Sequence, residues 1–262
     1  MTAMLLAALL GACVGSFANL CALRWPRDES VLWPRSNCPG CGKPLSWLEL
    51  TPVLGWSFLR GRCRRCSIPI PVQYPLMEVS GALIWVGMAA SQGVGLEALR
   101  GALFLTILLA IAASDARFYI IPDQLSVGGA VLGLVLSLAP GGIDGHESAI
   151  GAAVGFASLW TVGWCSTLLL RRLAPERLGA FGAERALGGG DIKMMLMTGA
   201  FVGPGGVAIS ILVGSVAALA VFGPLSLRGQ RLIPFGVFLG VGGAVAYTWG
   251  ERLTDWYLGM FG

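Results

Sequence analysis

Apolar runs of about 20 residues recur along the whole chain, and they restrict its fold more than any other feature. An α-helix needs a run of that length to cross the hydrocarbon core of a bilayer. Of the 262 residues, 55% are hydrophobic and only 12% are charged, whereas soluble domains carry roughly twice that charged fraction. The mean hydropathy is +0.75. The sequence therefore predicts an all-α polytopic membrane protein in contact with membrane lipids.

We predict about eight transmembrane helices and one longer soluble loop. The approximate bounds of the helices are 3–23, 74–91, 97–116, 124–140, 148–170, 192–203, 206–225 and 234–250. Five glycine pairs have the GxxxG spacing that lets membrane helices pack closely: Gly11/Gly15, Gly129/Gly133, Gly151/Gly155, Gly199/Gly203 and Gly236/Gly240. We divide the chain into a first transmembrane helix (1–23), a soluble domain (24–73) and a membrane domain (74–262).

The distribution of positive charge predicts the orientation. If the N-terminus lies outside, the segments on the opposite side are 24–73, 117–123, 171–193 and 226–233. These segments hold 16 of the 18 Lys and Arg residues. Because positive residues mark the cytoplasmic side, this side is expected to be cytoplasmic. The net charge of +4 is therefore read as a topology signal, and no nucleic-acid partner is expected.

The soluble domain carries two CxxC pairs, Cys38–Cys41 and Cys63–Cys66, separated by 21 residues. Two such knuckles supply four thiolates, the donor set of a structural zinc site. The alternative is a pair of disulfides, which the reducing cytoplasm disfavours. We predict a zinc-ribbon-like domain whose Zn²⁺ is structural, because four thiolates leave no open coordination position.

Four acidic residues lie inside or at the edges of predicted spans: Glu78, Asp115, Asp123 and Asp191. Ionisable residues at such places are costly and are functional candidates by default. Topology puts Asp115 and Asp191 on the same cytoplasmic face. The glycines before Asp191, including Gly188 and Gly190, leave room for an extended substrate strand beside it.

Two facing carboxyls share a proton, so that one serves as a base while the other serves as an acid. This chemistry is that of an aspartyl protease. Two other interpretations remain open from the residues alone. Asp191 is a helix N-cap while Asp115 pairs with Arg117, or Glu78, Asp115 and Asp191 form the proton or ion path of a transporter.

An ordered set of motifs resembles the type IV prepilin peptidase family. The set consists of Gly15-Ser16-Phe17 with Arg24 and Pro26, Cys38–Cys41, Arg60–Cys66, Tyr74–Glu78, Asp115–Asp123, Gly188–Lys193 and Ile233–Gly236. The resemblance implies that Asp115 and Asp191 are catalytic in a membrane aspartyl peptidase domain. It implies that Asp123, Glu78, Gly188, Gly190 and Lys193 belong to supporting motifs.

The same resemblance implies a bifunctional enzyme of the bacterial inner membrane, with a periplasmic N-terminus and a cytoplasmic active site. Its substrates would be type IV prepilins and the pseudopilins of type II secretion. It would cleave their leader after a glycine and N-methylate the new N-terminal residue with S-adenosylmethionine. The alternative within this chemistry is a GxGD intramembrane protease without methyltransferase activity. No glycine-rich nucleotide motif locates the methyl donor, and nothing in the sequence indicates an oligomeric state.

Overall fold

The computed structural model describes residues 1–38, 40–173, 187–226 and 233–260. The helices are α1 (Thr2–Arg24), α2 (Leu54–Phe58), α3 (Gln73–Gln92), α4 (Leu96–Phe118), α5 (Asp123–Leu136), α6 (Gly145–Leu173), α7 (Gly189–Ser226) and α8 (Phe235–Leu258). A short 3-10 helix, Trp25–Arg27, follows α1. Within the described ranges, β-structure is limited to two isolated bridges. The prediction of an all-α fold is confirmed.

Four helical stretches in the described part of the chain are long and apolar enough to cross a membrane. They are Thr2–Arg27, Leu96–Phe118, Gly145–Leu173 and Gly189–Pro224. By contrast, α5 has 14 residues, and at 1.5 Å per residue it is about 21 Å long, shorter than the bilayer core of about 30 Å. The chain is a membrane protein, while the predicted count of eight spans is not confirmed.

Residues Met1–Ala113 form one compact unit, in which α1 packs against α3. The backbone of Gly11 contacts that of Gly81, and the backbone of Gly15 contacts that of Met77. As the residue number rises in α1 it falls in α3, so the two helices are antiparallel. The Gly11/Gly15 pair is thus confirmed as a packing motif, because a side chain at either position would overlap the backbone of α3.

Residues Ser114–Gly262 form the second compact unit, in which α6 and α8 both pack against α7. The backbone of Gly151 contacts that of Gly199, and Gly155 contacts the backbone of Met195. These contacts confirm the packing role predicted for the Gly151/Gly155 pair. They also fix α6 antiparallel to the first part of α7.

Helix α7 is interrupted at Gly203, whose backbone is not helical (φ 70°, ψ −179°). A positive φ of this size is readily adopted only by glycine. Pro204 follows, a residue suited to the first turn of a new helical segment. The helix therefore consists of two segments, 189–202 and 204–226, and the break lies where the sequence predicts the gap between the sixth and seventh spans.

The two segments of α7 run in opposite directions. Gly190 and Gly236, near the starts of α7 and α8, both lie against Ile121, so these two starts are neighbours. A straight helix would carry Gly214 about 36 Å away from Gly190. Gly214 instead lies against Phe238, two residues beyond Gly236. The second segment therefore returns toward the end at which the first begins.

Candidate functional site

Asp115 lies in the last turn of α4 and is buried. Its Oδ2 accepts a hydrogen bond from the backbone N–H of Val237 at 3.2 Å. Val237 is the third residue of α8, and the first N–H groups of a helix, with its dipole, favour a negative group at that end. The N-terminus of α8 therefore orients the Asp115 carboxylate.

Gly236 allows this close approach between α8 and Asp115. A Cβ atom placed on Gly236 would lie 2.9 Å from Oδ2 of Asp115 and 2.7 Å from Cδ1 of Ile121. Carbon atoms in contact are normally about 3.5–4.0 Å apart, so any larger residue would push the helix away. Gly236, the first glycine of the predicted Gly236/Gly240 pair, thus packs against Asp115.

Asp191 is the third residue of α7 and is largely buried. Because α7 begins at Gly189, Asp191 is not the N-cap, and that part of the alternative interpretation is wrong. Gly190, the residue before Asp191, and Gly236, which lies against Asp115, both contact Ile121, so the two aspartates belong to one cluster. Gly188 lies directly beside the Asp191 carboxyl, since a Cβ there would be 2.9 Å from Oδ2 of Asp191.

Ile121 contacts both glycine-bearing helix starts, with its Cβ 2.9 Å from the Cβ position of Gly190. The turn between α4 and α5 places it there. In this turn Tyr119 has a positive φ of 56°, and the Ser114 hydroxyl donates to the Ile120 carbonyl at 2.6 Å. Ile121 therefore fills the space between the starts of α7 and α8.

Asp123 and Lys193 form an ion pair across 70 residues of sequence. Lys193 Nζ lies 2.7 Å from both carboxylate oxygens of Asp123. The two side chains are 41% and 61% exposed, so water screens most of their attraction. The pair joins the start of α5 to the first turn of α7, close in sequence to Asp191.

The structure thus brings six of the predicted residues of the membrane domain into one region: Asp115, Asp123, Gly188, Gly190, Asp191 and Lys193. Sequence reasoning missed Ile121 and the backbone N–H of Val237. The only sequence signal for the Val237 N–H was Pro234, because a proline often marks the start of a helix. The first N–H groups of a helix have no partner within it and are free to bind a neighbouring acceptor. An isoleucine in a membrane protein carries no signal of this kind.

The two CxxC pairs form two knuckles with the same backbone pattern. An isolated bridge closes each knuckle, Asn37 with Pro44 and Arg62 with Pro69, an offset of 25 residues. The hydrogen bonds repeat at the same offset: the Gly42 N–H donates to the Cys38 carbonyl, and the Ser67 N–H donates to the Cys63 carbonyl. Gly42 and Ser67 both have positive φ, 67° and 57°. The two predicted knuckles therefore form a structural repeat, whose matching backbone was not predicted from the sequence.

The four knuckle sulfurs fit a zinc ion. Those of Cys38, Cys41, Cys63 and Cys66 all lie within 4.8 Å of one another, and the sulfurs of Cys38 and Cys66 are 3.6 Å apart. A tetrahedral site with Zn–S bonds of about 2.3 Å separates its sulfurs by about 3.8 Å. All four cysteines are free thiols, so the disulfide alternative is absent from this arrangement.

The pKa values of the thiols differ within the cluster. The N–H groups of Cys41 and Gly40 lower the pKa of Cys38 to about 7. At Cys66 the N–H of Ile68 lowers the pKa. Loss of hydration and the three neighbouring thiols raise it by more, so that the pKa is about 11. Four thiolates so close together repel one another, and a divalent cation offsets that repulsion.

Glu78 lies in the other compact unit, on α3, and is buried. Its Oε1 accepts a hydrogen bond from the Ser16 hydroxyl at 2.8 Å, and its Oε2 accepts one from the Val53 N–H at 2.7 Å. Glu78 therefore ties α1 and the soluble loop to α3. It belongs to a different part of the chain from the aspartate pair.

Two family models match the chain. Residues 9–92 match the bacterial peptidase A24 N-terminal domain, and residues 102–223 match the type IV leader peptidase family. A relative from Aeromonas hydrophila, named prepilin leader peptidase/N-methyltransferase, is 34% identical over 247 residues, covering 90% of this chain and 81% of the relative. One of the same name from Xanthomonas campestris pv. campestris is 32% identical and covers 98% of this chain and 94% of the relative. No solved structure matches the chain.

Proposed function

Because the chain belongs to the type IV leader peptidase family, we propose that it is a membrane aspartyl endopeptidase acting on type IV prepilins and pseudopilins. It cleaves the leader peptide after a glycine and N-methylates the new N-terminal residue. The names of its relatives, which join these two activities, support both halves of the proposal. The prepilin substrate belongs to a type IV pilus or a type II secretion system.

One observation carries the peptidase half. Asp115 and Asp191 are 76 residues apart in sequence, yet Ile121 contacts both the glycine that precedes Asp191 and Gly236, which lies against Asp115. In the proposed pair the two carboxyls share one proton. The ionised carboxyl removes a proton from a water molecule, whose oxygen then attacks the peptide carbonyl. The protonated carboxyl hydrogen-bonds the carbonyl oxygen and then gives its proton to the leaving amine.

The glycine segment before Asp191 supports a binding place for the substrate. Gly188 and Gly189 are exposed, and a Cβ on Gly189 would meet nothing within 4 Å. An extended backbone needs such an unobstructed surface in order to approach a carboxylate closely. We assign this surface to the residues on either side of the cleaved bond.

The same proposal includes the location of the enzyme. The excess of Lys and Arg in segments 24–73, 117–123, 171–193 and 226–233 favours a cytoplasmic position for them. Asp115 lies two residues before the segment 117–123, and Asp191 lies inside the segment 171–193, which supports an active site at the cytoplasmic face of the bacterial inner membrane. The N-terminus then lies in the periplasm, and the protein is multi-pass.

Zinc and a methyl donor complete the proposal. Cys38, Cys41, Cys63 and Cys66 would hold a structural Zn²⁺ that stabilises the fold of the soluble loop. S-adenosylmethionine supplies an electrophilic methyl group for the N-terminal amine. The predicted division into residues 1–23, 24–73 and 74–262 assigns the zinc domain and the peptidase domain to separate stretches of the chain.

Mass measurement of a reacted prepilin tests both activities. The purified enzyme is incubated with a prepilin, with and without S-adenosylmethionine. We expect leader loss in both samples and an added methyl group only where the donor is present. An intact prepilin contradicts the peptidase half, and cleavage without a methyl increment contradicts the methyltransferase half.

A further inference from the structure

A cavity of about 330 Å³ lies within the unit Met1–Ala113. Its wall is built by α1, the segment 49–59, both knuckles and the first turns of α3. Binding sites for small organic ligands begin at about this volume. Asp115 and Asp191 belong to the other unit, and neither lines this cavity.

The cavity contains a buried carboxylate with no counter-charge. Glu78 lines it and is only 7% exposed. Both of its partners, the Ser16 hydroxyl and the Val53 N–H, are neutral, and no Lys or Arg in the described ranges pairs with it. A buried charge is costly unless it is paired. A cationic ligand in the cavity would supply the missing charge.

A second carboxylate lines the same cavity. Glu49 Oε2 accepts hydrogen bonds from the backbone N–H and the hydroxyl of Ser46, at 2.8 and 2.7 Å. These bonds, with smaller contributions from the Arg64 N–H and the positive charge of Arg65, hold the pKa of Glu49 below its usual value, so it is ionised at neutral pH. Glu49 therefore adds a second carboxylate to the wall of the cavity, and Arg65 offsets part of its charge.

Three aromatic side chains also line the cavity: Phe17, Trp56 and Tyr74. The indole N–H of Trp56 donates to the carbonyl of Ile70 at 3.1 Å, which fixes the position of the ring. Aromatic faces attract organic cations and stack with flat heterocycles. Carboxylates together with aromatic rings suit a ligand that is both cationic and aromatic.

We infer that this cavity binds S-adenosylmethionine, with its positively charged sulfonium beside the carboxylate of Glu78. The inference rests on the N-methyltransferase half of the proposed function and locates its donor site, which no sequence motif revealed. It assigns Glu78 to ligand binding and removes it from the peptidase machinery. The N-terminal ammonium of the cleaved substrate is the other cation of the reaction, and the test separates the two.

A matched pair of ligands tests the charge directly. S-adenosylhomocysteine differs from S-adenosylmethionine in lacking the methyl group and the sulfonium charge. Binding of each to the purified, zinc-loaded protein is measured by calorimetry. We expect Glu78→Gln to weaken binding of S-adenosylmethionine about tenfold or more, the effect of losing a buried charged interaction. Its binding of S-adenosylhomocysteine should stay within about twofold.

Further variants keep this test independent of folding defects. Leu20→Trp extends a large side chain from α1 into the cavity and should weaken both ligands at least about tenfold. Glu97→Gln, at an exposed glutamate of α4, makes the same chemical change outside the cavity and should alter neither. Zinc content and leader cleavage, measured on each variant, establish that the protein is folded.

Three outcomes decide between the proposals. A wild-type protein that binds neither ligand contradicts the methyltransferase half of the proposed function. Wild-type binding that Glu78→Gln and Leu20→Trp leave unchanged places the donor elsewhere and overturns the assignment of this cavity. Loss of affinity for the cleaved peptide with unchanged donor binding also overturns it, because Glu78 would then serve the peptide ammonium.

Discussion

The backbone N–H of Val237 donates to Oδ2 of Asp115 across 3.2 Å, joining residues 122 positions apart in sequence. The bond connects the first turn of α8 to the last turn of α4. The orientation of one proposed catalytic carboxylate is therefore controlled by a helix that contributes no acidic side chain to the site. Substitutions in the first turn of α8 should therefore alter the orientation of the Asp115 carboxylate.

Replacement of either aspartate tests the proposed pair. We expect Asp115→Asn and Asp191→Asn each to lower leader cleavage by at least about 10²–10⁴-fold, because neither amide can exchange a proton with water or the leaving amine. Cleavage of a prepilin is followed in membranes by the mobility or mass of the product. Asp144→Asn, at an exposed loop carboxylate, should cleave normally. Normal processing by either site variant contradicts the aspartyl mechanism.

Gly236→Ala tests the close approach of α8 to Asp115. The added methyl group would lie 2.9 Å from Oδ2 of Asp115 and must displace the carboxylate, the helix or Ile121. A displacement of about 1 Å at a catalytic group costs about 10²-fold. We expect kcat for cleavage to fall by roughly that factor while KM changes little.

The matched control for this change lies on the same helix. A Cβ on Gly250 would meet only Cδ1 of Ile209, at an ordinary 3.8 Å. Gly250→Ala should therefore retain wild-type cleavage. Equal kcat values for the two alanine variants and the wild type would show that α8 does not position Asp115.

The Lys193–Asp123 ion pair should make a small, salt-sensitive contribution. Because both side chains are partly exposed, the coupling between them is expected to be about 0.2–1 kcal/mol. A double-mutant cycle with Lys193→Ala and Asp123→Ala, read out as thermal stability in detergent, measures it. The coupling should shrink as ionic strength rises. A coupling that is large and independent of salt would indicate a buried pair instead.

Metal analysis tests the cysteine cluster. Purified protein should contain about one zinc ion per chain, and Cys41→Ser should lose most of it. Cys165→Ser, at an exposed cysteine of α6, should retain it. Metal-free protein with blocked thiols would support disulfides.

Removal of the zinc should affect the two activities unequally. Cys38 and Cys63 line the cavity of the first unit, so unfolding of the knuckles removes part of its wall. Asp115 and Asp191 belong to the other unit. We expect chelation to reduce binding of S-adenosylmethionine much more than leader cleavage. A greater loss of cleavage than of donor binding would contradict this division of roles.

The sequence predicted what depends on charge and on apolar length. The positive residues predicted that Asp115 and Asp191 lie on one side of a membrane, and the cysteine spacing predicted the cluster of four knuckle sulfurs. It did not predict the role of Val237, because a backbone N–H has no residue-specific signal. Nor did it predict that Ile121 packs between the starts of α7 and α8, because that contact depends on where these helices lie relative to the turn between α4 and α5.

The sequence showed two CxxC knuckles but not that their backbones match. The two knuckles share their cysteines and a proline, but Gly42 is matched by Ser67, and both adopt positive φ. Serine rarely adopts that conformation, so the residue type gave no sign of it. The cavity depends on packing among α1, α3 and these knuckles, which no local pattern encodes.

The break at Gly203 has a consequence for how the protein enters its membrane. The segment 189–202 is about 21 Å long and carries both Asp191 and Lys193. Charged residues oppose insertion of a helix by the translocation machinery, so this segment is a poor candidate to insert alone. The apolar segment 204–226 runs back alongside α8. We therefore expect the two segments to be inserted together as a helical hairpin. The position of Asp191, a proposed catalytic residue, in the bilayer would then depend on the segment 204–226.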